Sequence, residues 1–455
     1  MENNKILNRR SFLKATAGTA AAAGVLASCS PEKTGAKSKV QLDYWLWDAN
    51  QLLPYSKSIR EFERQNPDIE VRITQMGWDS YWQKLTAAFV AESAPDVFCN
   101  HLGRYPQLMD LGVLQPLDEL EATRDIKNDD YLEGLAQLWI GDDGHRYGVP
   151  KDFDTIAYFY NKKVLKESDV KKEDIENSTW NPKDGGSFQE IIAHLTVDKS
   201  GKRGNENGFN AKAIETFGLG GGKTLNYQGQ SEWSSYAFTM PWYFTDKPTW
   251  GTHFNYDKPG FQDTIAWMTR LANEHHFMPG YGEFGDSLGG GVQLGSNKSV
   301  LFMTGSWMIG TFAGLDGVEI GMASTPSGPV GHPMSMFNGL GDSISKQSTH
   351  KEEAARLVAW LGSEESQLIV GEMGVVFPAR EAGMQACIQA YEKRGLDVEA
   401  FIKPVKEKHT ALFPLVRNAA QIESLMQPVL DEVFMGSKPV DALTAVNEKI
   451  NALFK

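Results

Sequence analysis

The chain has 455 residues, 41% hydrophobic and 23% charged, which is globular composition and excludes wholesale disorder or a collagen-like repeat. Net charge is −13, and because residues 1–28 hold Lys5, Arg9, Arg10 and Lys14 against the single acid Glu2, the remainder is more acidic still; such a body repels phosphate backbones and argues against nucleic-acid binding. Three cysteines are too few for a disulfide scaffold or a multi-cysteine zinc site, and the length suits two sizeable lobes. Twelve tryptophans and 23 phenylalanines form a surplus that gives the first functional hint.

Residues 8–29 run Asn-Arg-Arg-Ser-Phe-Leu-Lys, then an Ala/Gly-rich stretch, then Leu26-Ala27-Ser28-Cys29. A basic start, a short apolar run and small residues before a cysteine make the pattern of an export signal. The apolar run, about 13 residues, falls short of the roughly 20 that span a bilayer. Arg9-Arg10 followed by Phe-Leu-Lys resembles a twin-arginine signal, and Leu-Ala-Ser-Cys resembles a bacterial lipobox. The expectation is a signal peptide over 1–28, lipid attached at Cys29, and a flexible tether over 29–39. The body would then be exported and held on the outer face of the bacterial cytoplasmic membrane. Cys99 and Cys387 are expected as two separate buried thiols.

From Val40 the pattern alternates. Val40, Leu42, Tyr44 and Leu46 read as a strand, and Tyr55, Ile59 and Phe62 as a helix that Asn66-Pro67-Asp68 breaks. Ile69, Val71 and Ile73 follow as a strand, Tyr81, Trp82, Leu85, Ala88 and Phe89 as a helix, and Pro95–Cys99 as a third strand. This α/β alternation predicts a parallel sheet wrapped on both faces, with ligand at the carboxyl ends of its strands. Residues 177–262 are rich in Gly, Asn, Trp and Tyr, with polar loops at 198–210 and 218–234. An amphipathic helix is expected over Lys351–Leu361, and a last helix from about Val440 to Phe454.

Motifs for catalysis and metal binding fall short. Gly-Lys-Thr at 222–224 lacks the upstream glycine of a phosphate loop, because Phe217 stands there. Glu274-His275-His276 lacks the spacing of a metalloprotease helix, and Gly305-Ser306-Trp307 that of a nucleophile elbow. No enzyme activity, cofactor or metal is expected.

Several segments together resemble the extracellular solute-binding proteins of bacterial ABC importers, in the sugar-binding branch that includes maltose-binding protein. They are Phe62-Glu-Arg-Gln-Asn-Pro-Asp-Ile-Glu-Val71, Trp78-Asp-Ser-Tyr-Trp-Gln-Lys-Leu85, Ala94-Pro-Asp-Val-Phe98 and Gly112-Val-Leu-Gln-Pro-Leu-Asp118. Tyr147-Gly-Val-Pro-Lys-Asp-Phe-Asp154 leading into Tyr160-Asn161-Lys162, Gly305-Ser-Trp307, Lys351-Glu-Glu-Ala-Ala355 and Gly374-Val-Val-Phe-Pro-Ala-Arg380 complete the set. The match is poor after residue 381 and around 177–262.

The resemblance implies a periplasmic-binding-protein-like clamp of two α/β lobes joined by three crossings, near Lys151–Thr155, Phe337–Asp342 and Gly371–Val376. Lobe 1 would comprise 40–152 plus 342–372, and lobe 2 153–341 plus 373–455. The implied function is capture of a sugar or oligosaccharide and its delivery to ABC permease subunits, by a monomer. A surface-anchored polysaccharide-acting enzyme and a glycan-adhesion module are the competing readings.

A sugar offers a flat apolar face and a rim of hydroxyls, so it calls for aromatic planes edged by planar polar groups. Trp307 stands where the family places a stacking tryptophan. Trp47 and Asp48 end the first strand, Trp78 opens a strand-to-helix loop, and Tyr236 and Trp242 fall near the stacking region of the maltose-binding relatives. Tyr81 fits its helix's apolar face better, and Trp82, Trp139, Trp180, Trp267 and Trp360 read as core. For the rim, Asn100, His101 and Arg104 match polar sugar contacts of the family, and Asp154 matches a hydroxyl-binding carboxylate. Asp152 lies beside it at the first crossing, and Asn338 and Asp342 lie at the second. A solvated loop side chain is the alternative for each. Arg417 and Asn418 are weaker candidates.

Overall fold

The computed structural model describes residues 39–221, 225–284 and 289–455. Arg9, Arg10, Cys29 and residues 1–38 as a whole lie outside the described residues, as does the Gly-Lys-Thr of 222–224.

The expected alternation is present. Strand β1 (Val40–Leu46) buries Leu42, Tyr44 and Leu46, and helix α1 (Ala49–Gln65) buries Tyr55, Ile59 and Phe62 against it. Strand β2 (Ile69–Gln75), helix α2 (Trp78–Val90) and strand β3 (Val97–His101) follow, and β1 pairs in parallel with both β2 and β3. The later strands are β4 (Val149–Pro150), β5 (Asp152–Phe153), β6 (Ile156–Asn161), β7 (Val197–Asp198), β8 (Ile214–Leu219) and β9 (Ser299–Gly305). After them come β10 (Ile320–Ala323), β11 (Ser335–Phe337), β12 (Leu340–Ile344), β13 (Phe377–Pro378) and β14 (Thr410–Leu412).

Among the described residues two five-stranded sheets result, in the orders β2-β1-β3-β12-β4 and β10-β6-β9-β8-β7. The first is mixed, which corrects the all-parallel expectation: β12 runs antiparallel to β3 and β4. Its direction follows from its route, since β12 enters this sheet from the second sheet's side rather than through a crossover helix of its own.

The connections between the sheets are short. β4 belongs to the first sheet and β6 to the second, with β5 between them pairing β13. β11 pairs β14, and two residues later β12 joins the first sheet. Helix α3 (Lys351–Leu361) has the bounds read from its amphipathic pattern. Helices α4 (Glu364–Gly371) and α5 (Glu381–Glu392) pack on each other, and helix α6 (Glu399–Lys406) packs against β6, where Thr155 Oγ1 donates to the Phe401 carbonyl.

Trp82, Trp139, Trp180, Trp267 and Trp360 are buried, and so is Tyr81. Among the described residues Cys99 and Cys387 are buried and form no disulfide. No helix among the described residues is long and apolar enough to cross a membrane.

Candidate functional site

A cleft of about 570 Å³ lies at the carboxyl ends of β1, β3 and β9, where open α/β sheets hold their ligands. One wall comes from the β1–α1 junction (Trp47 to Gln51), Trp78 and His101. The opposite wall comes from Trp307, Met308, Thr311 and a loop that brings Asn226, Gln228, Gln230, Ser231 and Glu232. Asp154, Asn338 and Leu340, at the strand connections, form the floor. At the mouth the two walls meet: Asn50 Nδ2 donates to Thr311 Oγ1 at 3.3 Å.

The aromatic wall is built edge to face. Trp47 packs against Trp78 (centroids 5.1 Å, 87°) and Tyr81 (5.1 Å, 70°), and Trp78 packs against His101 (5.3 Å, 85°). Trp78 is 40% exposed, so apolar surface is left open toward solvent. Across the cleft, the Trp307 ring folds over Gly305 so closely that a Cβ there would stand 1.7 Å from it. The glycine thus makes room for the indole itself, rather than only letting the backbone approach the cleft.

The polar loop is fixed from below. Trp233, fully buried, donates its Nε1–H to the Asn226 carbonyl, and Asn226 Oδ1 accepts from the Gln228 backbone. Gly229 turns with φ +58° directly over the Trp233 ring, leaving no space for a side chain.

The floor is a hydrogen-bonded array. Asp154 and Asn338 exchange backbone hydrogen bonds at 2.8 and 3.1 Å, and Ser306 Oγ donates to Asp154 Oδ1 at 2.9 Å. Burial, reinforced by Asp152, holds the Asp154 carboxyl well above its usual range. His101 Nδ1 accepts from the Gly103 backbone, and its Nε2 faces the Asn338 amide at 3.2 Å. Burial and then Arg104 lower its pKa to about 4, so the ring is neutral. Asp48 caps α1, its Oδ1 accepting from Asn50 N at 2.9 Å, and burial raises its pKa.

Trp47, Asp48, Trp78, His101, Asp154, Trp307 and Asn338 therefore meet in one cleft. The other sequence-selected residues do not line it. Tyr236 is in the core, its hydroxyl bonded to that of Tyr158 and its ring against Trp180 and Trp267. Trp242 stacks on Phe261, with Nε1 donating to the Asn255 carbonyl. Asn100 donates to Ser343 Oγ inside the first sheet. Arg104 pairs loosely with Glu423 at 4.0 Å, and Arg417 pairs with Asp110 and Asp142. Asn418 precedes a helix with φ +60°.

Asp152 and Asp342 sit behind the cleft. Asp152 accepts from Leu340 N at 3.0 Å and from Gln51 Nε2 at 3.4 Å; burial raises its pKa to about 7. Asp342 accepts from Tyr44 O–H at 2.8 Å and lies 4.0 Å from the fully buried Lys151 Nζ. Lys151 also bonds Tyr44 Oη at 3.1 Å and rests 3.7 Å over the Tyr55 ring. Its burial works against its charge, yet Asp342 keeps its pKa raised.

The residues that the sequence reading missed are Asn50, Gln51, Met308, Thr311 and the run 226–232, Asn-Tyr-Gln-Gly-Gln-Ser-Glu. Three planar amides and a carboxyl within seven residues was the available signal. Three side-chain atoms buried at the cleft have no hydrogen-bond partner among the described residues: Gln230 Nε2, Glu232 Oε2 and one end of the Asn338 amide. Among the described residues no cluster of metal ligands is present.

The model of a family described as bacterial extracellular solute-binding protein matches residues 57–391. The chain belongs to that family. This solute-binding protein is 26% identical to the arabinooligosaccharide-binding protein of Bacillus subtilis over 160 residues, 34% of this chain and 36% of the relative. It thus spans about a third of that relative's length. Its match to the multiple sugar-binding protein of Streptococcus mutans is longer, 22% identical over 356 residues and covering 74% and 75% of the two chains. Among solved structures it resembles the ABC substrate-binding protein Lmo0181 of Listeria monocytogenes in complex with cycloalternan, with a TM-score of 0.75 at 19% identity, covering 91% and 99%. UspC of M. tuberculosis gives 0.70 at 24%, covering 91% and 100%. The two-lobed periplasmic-binding fold is thereby shown, and none of these matches supports the polysaccharide-acting enzyme.

Proposed function

We propose that this solute-binding protein captures a carbohydrate between its lobes and delivers it to the permease of an ABC importer. The observation that carries the reading is the convergence of Trp47, Trp78 and Trp307 with three unpartnered buried polar atoms in one cleft. A buried polar atom without a partner costs about 1–3 kcal/mol, which a ligand hydroxyl would recover, while the indoles cover the sugar's apolar face. The names of the relatives, arabinooligosaccharide-binding and multiple sugar-binding, point the same way.

The sequence divides lobe 1, 40–152 plus 342–372, from lobe 2, 153–341 plus 373–455; because β12 starts at Leu340 and α5 packs on α4, this reading moves the second boundary to 340 and the third to 392. The chain acts as a monomer, tethered by lipid at Cys29 after loss of residues 1–28. Mass spectrometry of membrane-purified protein should find an acylated Cys29 at the N-terminus; an intact 1–28 segment there would refute the anchor.

The function itself is tested by calorimetric titration against neutral mono- and oligosaccharides. Saturable one-to-one binding is the expected result. A panel of pentose and hexose oligomers that gives no heat and no thermal shift would overturn it.

A further inference from the structure

One of the three unpartnered atoms of the cleft belongs to a group that can carry charge. Glu232 stands at the partition between the cleft and a second cavity of about 220 Å³ behind it. That second cavity is walled largely by apolar side chains, among them Leu219, Met268, Phe302, Met303 and Phe434. Oε2 of Glu232 is buried without a partner, and burial raises the carboxyl pKa to about 7, against a weaker opposing pull from the backbone at Ser231 and Glu232.

The surroundings do not neutralise it. Asp48 and Asp154 line the same cleft, His101 is neutral, and no lysine or arginine is found among the described residues of the lining. Lys151 lies buried at Asp342, and Arg104 pairs with Glu423. A carboxylate backed by apolar walls gains more from a cation than from a hydroxyl, because its charge is poorly screened. A ligand carboxylate would meet three acidic side chains.

Building on the carbohydrate reading, we propose that Glu232 is an ammonium-binding group and that the cleft selects glycans bearing a free amino group while rejecting uronates. The N-acetyl form of the same sugar lacks the charge and loses the preference.

The test is titration at about pH 7.5, where the Glu232 carboxyl is largely ionised and a sugar amine still carries much of its charge, with matched pairs: amino-sugar mono- to trisaccharides of the gluco, galacto and manno series, their hydroxyl counterparts, and the corresponding uronates. In at least one pair the amine should bind about tenfold tighter than the hydroxyl, the size of one charge-assisted hydrogen bond, with the uronate weakest. Glu232→Gln should bring the amine-to-hydroxyl ratio below about threefold, and a melting curve checks that the variant is folded. An amine that binds no better than the hydroxyl, or a ratio that survives Glu232→Gln, overturns the proposal and leaves the carbohydrate reading standing. If no glycan binds, both fall together.

Discussion

At the residue scale, Trp307 and Glu232 carry opposite liabilities. Trp307 is half-buried, its ring lying on Gly305, so truncation removes ligand contact more than core. Trp307→Ala should cost about 2–3 kcal/mol of binding, thirty- to hundredfold in affinity, from the apolar area lost. Calorimetry beside a melting curve decides the matter. A steep fall in melting temperature with near-normal affinity would place the ring in the core instead, where truncation costs about 3–5 kcal/mol of stability. Glu232 is expensive to bury. Its folded pKa of about 7 exceeds the ordinary 4.5, so the native state holds more protons than the unfolded chain between those values, and stability falls as pH rises through that window. Glu232→Gln should therefore match the parent near the lower limit and exceed it above the upper one by about 2–3 kcal/mol. Unfolding midpoints across that range check this; a constant offset would exclude the carboxyl as the cause. The residue scale also shows what a lone sequence withholds. Tyr236 and Trp242 have the same chemistry as Trp47 and Trp78, and only packing sends one pair to the core and the other to the cleft. Asp152 and Asp342 read as sugar-rim carboxylates because nothing in their spacing announces that Lys151 is buried among them.

At the scale of elements, one connection between the sheets is anchored to the first sheet by a buried charge. β4, Lys151 and β5 run in succession, and the Lys151 ammonium ties Tyr44 of β1, Tyr55 of α1 and Asp342 of β12 into one buried cluster. Removing one partner of a buried ion pair strands the other, at about 3–5 kcal/mol. Lys151→Met should lower stability by that order, and Lys151→Met with Asp342→Asn should recover more than half, since an amide still accepts from the Tyr44 hydroxyl. Chemical denaturation of both variants tests it; equal losses would mean that packing of the Lys151 stem dominates. β1, α1, β2, α2 and α3 are readable in the sequence, because each buries one face and so writes a period of 2 or 3.6 into it, whereas β3, buried at four of its five positions, is marked only by a short apolar run after Pro95. The two-residue strands β4, β5, β7 and β13 are too short to leave a period, and β12 shows no alternation because all five of its residues are buried. The loop 226–232 has no period either; Trp233 and Gly229 hold it, and a buried anchor is invisible without the fold.

For the whole molecule, two lobes joined by short strands around a ligand-sized cleft make capture a matter of closure. A ligand that touches both walls shifts the balance toward the closed form by its differential contacts. X-ray scattering of the 39–455 body should show a smaller radius of gyration with saturating sugar than without; unchanged dimensions would favour a glycan-adhesion module over a transport component. The walls already touch at Asn50 and Thr311, and Arg417 bridges to Asp110 and Asp142, so the difference will be read as opening in the unbound ensemble.

The arrangement of indoles has a practical side. Trp139, Trp180, Trp233 and Trp267 are sealed in the core and emit a constant background, whereas Trp47, Trp78 and Trp307 line the cleft. A ligand that strips water from those three must move their emission to shorter wavelength and change its intensity. The protein is thus its own optical gauge: capture and release can be timed in a stopped-flow cuvette with no dye attached, at concentrations far below those that calorimetry requires.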